Sequence, residues 1–299
     1  MDIVLKTYGL TKKYGKQTVL DNINMTVNKG DIYGFVGKNG AGKSTLLRVL
    51  LKSTKATSGT FQIFDGLPEK LARKRIGVML NPPALFKNCT AYENLKRYAI
   101  LYGGTDRDII SILNTVGLID AKIKPVMAFS DAMKIKLGIA IALLSNPEFI
   151  ILDDPTSNLD YESEQEICNI ILKIHKERRA TFLITSNKLN EVTKSVTKYG
   201  IIKEGKLVEE MTADALRACC KQKFIISVDK PDLAYDIISS VYPALLIEKN
   251  KERSCVIVTS EIDHTKEIRR LLNTSDVKTT DITKQRINME QFFYERIGQ

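Results

Sequence analysis

Gly37–Thr45 reads GKNGAGKST, and this stretch with its flanks decides the fold. It matches the pattern G-x-x-x-x-G-K-[ST], with Gly37, Gly42, Lys43 and Ser44 at the fixed places. Before it, Asp31–Val36 (DIYGFV) is short and apolar and predicts a strand; after it, Lys43–Leu51 predicts a helix. Strand, glycine-rich loop and helix in that order make a phosphate cradle. The glycines let backbone N–H groups curl round a β-phosphate, and the helix N-terminus adds positive potential. Asn39, Gly40, Ala41 and Thr45 complete the cradle, Lys43 would reach the β- and γ-phosphates, and Ser44 would ligand Mg²⁺. A chance match arises in roughly one chain of this length in a hundred. The strand and helix around it make a merely structural glycine turn the weaker reading.

A phosphate site with Mg²⁺ needs a carboxylate, and Phe149–Asp154 (FIILDD) supplies one. The apolar run reads as a strand buried on both faces, which puts Asp153 at its C-terminal end, the edge where ligands of parallel sheets bind. There Asp153 would hold the metal through water. Further along, Ile76–Leu80 and Thr181–Ile184 read as strands, and Ala91–Leu101, Ser130–Leu144 and Asp160–Lys176 as helices. Such alternation predicts an α/β domain with a mostly parallel sheet. Near residue 214 the pattern weakens and a new set begins: strand Phe224–Val228, helix Asp232–Val241, strand Cys255–Thr259, helix Ile262–Leu272, strand Val277–Ile282 and a last helix from Met289. The expected division is a P-loop domain over residues 1–214 and a small α+β accessory domain over 215–299.

Composition narrows the class. No stretch approaches the ~20 consecutive apolar residues of a membrane span, and no apolar segment behind a charged N-terminus reads as a signal peptide. The 5 cysteines fit neither a disulfide framework nor zinc-ligand spacing. Residues 1–100 carry 17 Lys+Arg against 6 Asp+Glu, so the net charge of +10 is gathered in the N-terminal third. That excess suits a polyphosphate or an anionic surface, and equally an ordinary solvated basic face.

With these motifs in place, residues 3–210 resemble the nucleotide-binding domain of ATP-binding-cassette (ABC) proteins. The order is theirs: the P-loop, IGVMLNPP, a signature helix at FSDAMKIKLGIA, FIILDD, then TSNLD. TAYENL and MKIKLGIAIALLSNPEFIILDDPTSNLD are similar to the ATPases of bacitracin- and lantibiotic-type peptide exporters. The resemblance implies ATP and Mg²⁺ as ligands, with Tyr14 stacked on adenine. It implies that Ser130, Asp131, Ala132 and Met133 face nucleotide across a dimer, and that Asp160 belongs to the nucleotide site. It also implies a separate polytopic permease that holds the chain at the cytoplasmic face of the membrane, a second ABC ATPase subunit, and no direct contact with nucleic acid. A soluble ATP-dependent regulator or sensor acting on nucleic acid or ribosomes is the alternative, mildly favoured by the basic N-terminal third.

Four sites depart from the family pattern, the last of them at two residues. Asp154 stands where a catalytic Glu is usual, and its carboxylate is one methylene shorter. Asn187 stands where a histidine contacts the γ-phosphate, and it cannot become cationic. Asn81 takes the place of the Gln or Glu that approaches Mg²⁺ and the attacking water. Asp131 and Ala132 replace glycine-like positions of the signature, adding a like charge and a methyl. Together they predict slow hydrolysis, and they favour a heterodimer with an unaltered cassette.

Overall fold

The computed structural model describes residues 2–102, 105–187, 195–219, 222–250, 253–260, 262–286, 292–293 and 296. These fall into two compact units, Met1–Ala213 and Asp214–Glu295, with Arg296 grouped with the first.

In the first unit β1 (Ile3–Tyr14) runs antiparallel to β2 (Gln17–Ile23) and β3 (Thr26–Asn28). β4 (Ile32–Val36) leads to α1 (Lys43–Leu50), and β5 (Ser58–Ile63) returns antiparallel to β1. Then come α2 (Glu69–Lys74), β6 (Ile76–Met79), α3 (Ala91–Tyr102), α4 (Asp106–Thr115) and α5 (Asp131–Ala142). β7 (Phe149–Asp153), α6 (Tyr161–Arg178), β8 (Thr181–Ser186) and the hairpin of β9 (Lys198–Lys203) and β10 (Lys206–Thr212) close the unit. The main sheet has 6 strands in the order β10-β9-β4-β8-β7-β6, parallel from β9 to β6.

The apolar character of β4, β7 and β8 follows from their place. Every residue of β4 and β8 is buried, as is β7 except for Asp153 at its end, the signature of strands covered on both faces. Phe35, Phe149, Ile151 and Leu183 of these strands share one core with Leu46, Leu47 and Leu50 of α1 and with Leu5 and Leu10 of β1. Full burial of such side chains contributes roughly 1.5–3 kcal/mol each. That core fixes three strand ends side by side: Val36 pairs with Ser186, and Asp153 with Thr185.

TAYENL has a local explanation. The Glu93 carboxylate accepts from Thr90 N at 2.8 Å while Glu93 N donates to Thr90 Oγ1 at 3.1 Å, a capping box that starts α3. Asn94, fully buried, accepts from Phe86 N at 2.8 Å and donates to Phe86 O at 3.0 Å and Thr90 O at 2.9 Å. A buried carboxamide with its capacity filled holds the preceding loop against the helix.

α7 (Ala213–Cys219) spans the start of the second unit. There β11 (Gln222–Val228), β12 (Leu246–Asn250), β13 (Cys255–Ser260) and β14 (Thr279–Arg286) form a sheet of 4 strands, order β12-β13-β11-β14, antiparallel throughout. α8 (Pro231–Val241) and α9 (Thr265–Thr274) pack on it around Phe224, Ile226, Val256, Val258, Ile238 and Leu272.

Several sequence expectations shift. The antiparallel strands β1, β2, β3 and β5 and the edge strand β12 were not anticipated. β1 is broken by bulges and β12 is largely exposed, so neither shows clean alternation. α9 starts at Thr265 rather than Ile262, because the Asp263 carboxylate accepts from Thr265 N at 3.0 Å and holds the chain in a turn first. Val277 is not in a strand: buried, it caps the core while its N–H donates to Leu272 O at 3.2 Å. The helix expected from Met289 lies mostly outside the described residues.

Candidate nucleotide-binding site

The loop between β4 and α1 owes its shape to two glycines. A Cβ on Gly37 would stand 2.4 Å from Ile202 O, and one on Gly42 2.7 Å from Val19 O, with Gly42 at φ 111. Both positions exclude any side chain. Gly42 is also the N-cap of α1 and supplies no side-chain acceptor, and the first turn carries no acid. The leading N–H groups of that helix therefore face the loop uncapped, with the positive end of the helix dipole behind them.

Lys43, only 7% exposed, lies beneath the loop and donates from Nζ to Gly37 O at 2.6 Å and Lys38 O at 3.1 Å. Burial lowers its pKa from the ordinary lysine value, while the fields of Asp154 and Asp153 oppose that shift. Asn39, Lys43, Ser44, Asn81, Asp153 and Asp154 line one cavity of about 360 Å³. The cavity sits at the carboxyl edge of β4 and β7.

Asp153 Oδ1 accepts from Thr185 Oγ1 at 2.6 Å, so β8 holds a carboxylate that belongs to β7. Asn81 Nδ2 donates to Ser157 Oγ at 2.7 Å and to Asp154 O at 3.1 Å. Its carboxamide nitrogen is thereby engaged, which leaves the oxygen as the atom able to take a metal or water. Asn187 follows β8, with Nδ2 3.5 Å from Asn39 Oδ1, and its own Oδ1 is buried without a hydrogen-bond partner among the described residues.

The remaining sequence candidates stand elsewhere. Tyr14 ends β1, 45% exposed, with Lys12 Nζ 4.7 Å from its ring centroid, and is not part of the cavity wall. Ser130 is the N-cap of α5 and accepts from Met133 N at 3.2 Å. Asp160 caps α6, accepting from Ser163 N at 2.8 Å, and that bond holds its carboxyl below the usual range. Asp131 pairs with Lys134 at 2.8 Å, and the Ala132 methyl is buried. The Asp131 side chain is still 75% exposed, so its charge stays at the surface while the methyl does not. Sequence reading also passed over Thr185 and Ser157. The only signal was a Thr near the end of a buried strand, and a Ser close behind the paired aspartates.

The arrangement fits a nucleoside polyphosphate. A loop packed too closely on Ile202 and Val19 to admit a Cβ at Gly37 or Gly42, uncapped helix amides and a buried ammonium suit phosphate oxygens. Among the described residues no group of three or more His, Cys, Asp and Glu could hold a metal unaided. A divalent ion here would take its ligands from phosphate and water, with one hydroxyl and one carboxylate, the usual habit of Mg²⁺.

Residues 20–157 match the family model described as ABC transporter. Over 100% of its length the chain is 35% identical to the bacitracin transport ATP-binding protein BcrA of Bacillus licheniformis, covering 98% of that relative. The chain belongs to the ATP-binding subunits of ABC transporters. Over 71% of its length the subunit is also 40% identical to the lantibiotic transport ATP-binding protein SrtF of Streptococcus pyogenes, of which 92% is covered. An ATP-binding cassette of an ABC transporter in its ADP conformation superposes with a TM-score of 0.65 at 25% identity, over 71% of this subunit and 92% of that chain. As a member of this family the subunit is a nucleotide-binding ATPase. None of its described helices is long and apolar enough to cross a membrane, and the family implies a separate permease.

Proposed function

We propose that this subunit drives export of a peptide antimicrobial through a separate polytopic permease, on the cytoplasmic face of the membrane. The observation that carries this reading is the end-to-end similarity to a bacitracin transport ATP-binding protein, which takes in the second unit as well as the cassette. The exposed apolar end of α3, with Ile100 at 80% and Leu101 at 76%, suits contact with another protein. We also propose residues 1–214 as the ATP-binding domain and 215–299 as an accessory domain.

In this reading ATP is held by Asn39, Gly40, Ala41, Gly42, Lys43, Ser44 and Thr45, with adenine on Tyr14. Ser44, Asp153 and the Asn81 oxygen serve Mg²⁺. When bound, Mg²⁺ neutralises charge on the phosphate oxygens. Lys43 releases its carbonyl acceptors to meet the β- and γ-phosphates. Asp154 orients the water that attacks the γ-phosphorus, and Asn187 donates to a γ-phosphate oxygen. The protein contributes placement rather than covalent chemistry. The reach of Asp154 is then decisive, since a misplacement on the order of 1 Å can cost ~10²-fold in rate.

Subunits pair so that Ser130, Asp131, Ala132 and Met133 of one close on nucleotide held by the other, and Asp160 belongs to the nucleotide site. In a homodimer both sites would carry Asp154 and Asn187. With a partner that keeps Glu and His, one site would retain a full catalytic side. A heterodimer is therefore the favoured assembly. The test is affinity purification of the tagged subunit from detergent-solubilised membranes of its own cell. Recovery of a polytopic permease and a second cassette supports the reading; recovery of ribosomes or nucleic acid without a membrane protein overturns it.

A further inference from the structure

Asp154 sits at φ 48, a left-handed conformation that a non-glycine residue keeps where its surroundings over-determine it. Both of its peptide groups are gripped. Its N–H donates to Thr185 O at 3.1 Å and to Thr185 Oγ1 at 3.0 Å. Its carbonyl accepts from Asn81 Nδ2 and from Ser157 Oγ, each at 3.1 Å. The Thr185 hydroxyl donates in turn to Asp153 Oδ1 at 2.6 Å, and Thr185 is fully buried.

A hydroxyl has one proton and two acceptor lone pairs. With the Asp154 amide pointing at its oxygen, the single proton is directed to Asp153. One side chain on β8 thus sets the rotamer of one carboxylate and the backbone of the next.

We propose that Thr185 is a positioning residue of the ATPase, occupying one oxygen of Asp153 so that the other faces Mg²⁺, and locking Asp154 in its left-handed turn. This rests on the reading of Asp153 as the metal carboxylate. Strand β8 ends at Ser186, next to Asn187, so the same strand that would sense the γ-phosphate also holds both carboxylates. Loss of the hydroxyl leaves the bond from Asp154 N to Thr185 O, so the fold is retained while Asp153 becomes free to turn.

The test uses the full chain with Thr185→Val, Thr185→Ser and Asp153→Asn. Two quantities are read: affinity for a non-hydrolysable ATP analogue in EDTA, and Mn²⁺ affinity in the presence of that analogue, followed by electron paramagnetic resonance. In Thr185→Val the analogue affinity in EDTA stays at the parental value while Mn²⁺ affinity falls about 10- to 100-fold, the usual cost of losing an outer partner of a metal ligand. Thr185→Ser, which keeps the hydroxyl, restores it. Parental Mn²⁺ affinity in Thr185→Val beside a weakened Asp153→Asn overturns the role of Thr185 alone. Parental Mn²⁺ affinity in Asp153→Asn overturns the metal reading and this proposal with it. Should Thr185→Val fail to fold, Thr185→Cys, a weaker donor of similar size, takes its place: a partial loss supports the proposal and parental affinity contradicts it.

Discussion

Asp154 is held at its peptide groups by Thr185, Asn81 and Ser157, so its side chain has little backbone freedom with which to make up for a missing methylene. A Glu in the same turn would carry the carboxylate further into the cavity. Asn187 can donate to a phosphate oxygen but supplies no cation. Converting both, Asp154→Glu with Asn187→His, is expected to raise steady-state turnover of the purified subunit by about 10-fold or more, because misplacement costs on that scale. An unchanged rate would mean that these positions do not limit hydrolysis. Lys43, Ser44, Asp153 and Asp154 were legible in the sequence because each sits at a fixed offset inside a contiguous motif. Thr185 was not, since its bond to Asp153 joins strands separated by 32 positions in the chain.

Continuous apolar runs were readable as buried strands, whereas broken or exposed strands were not, and the cap of α4 was not enough to reveal that helix. The buried strands β4, β7 and β8 stand within two residues of their expected ends. The long, bulged β1 gave no usable alternation. α4 is held at its start by a reciprocal cap between Thr105 and Asp108. Thr105→Ala should lower stability in urea unfolding by about 1 kcal/mol and leave ATP affinity unaltered, as α4 takes no part in the cavity. In the second unit, Lys284 and Thr265 hold the Asp263 carboxyl well below the usual range, and Lys230 lowers that of Asp276. A depressed carboxyl pKa stabilises the folded form above the unfolded value, about 3.9, and that help is lost as pH falls below it. The thermal transition of this unit should therefore drop between roughly pH 4 and pH 2. The drop should be shallower in a variant carrying Asp263→Asn and Asp276→Asn; equal slopes would dismiss the two pairs as contributors.

At the scale of the molecule, the cavity draws its described walls wholly from the first unit. A chain ending at Ala213 should bind ATP with the affinity of the full subunit, and a large loss would assign part of the site to the second unit. The change of pattern near residue 214 was visible in the sequence because a fresh strand-and-helix set begins there, whereas the sheet order β12-β13-β11-β14 was not, since the edge strand β12 is too exposed to show a period. Everything proposed for export depends on nucleotide held at the loop between β4 and α1. Isothermal calorimetry of ATP with Mg²⁺, on the wild-type subunit and on Lys43→Ala, tests that most directly. The expected result is saturable 1:1 binding to the wild type that depends on Mg²⁺, and no measurable binding to Lys43→Ala of unchanged circular dichroism. Wild-type affinity in the Lys43→Ala variant would contradict it.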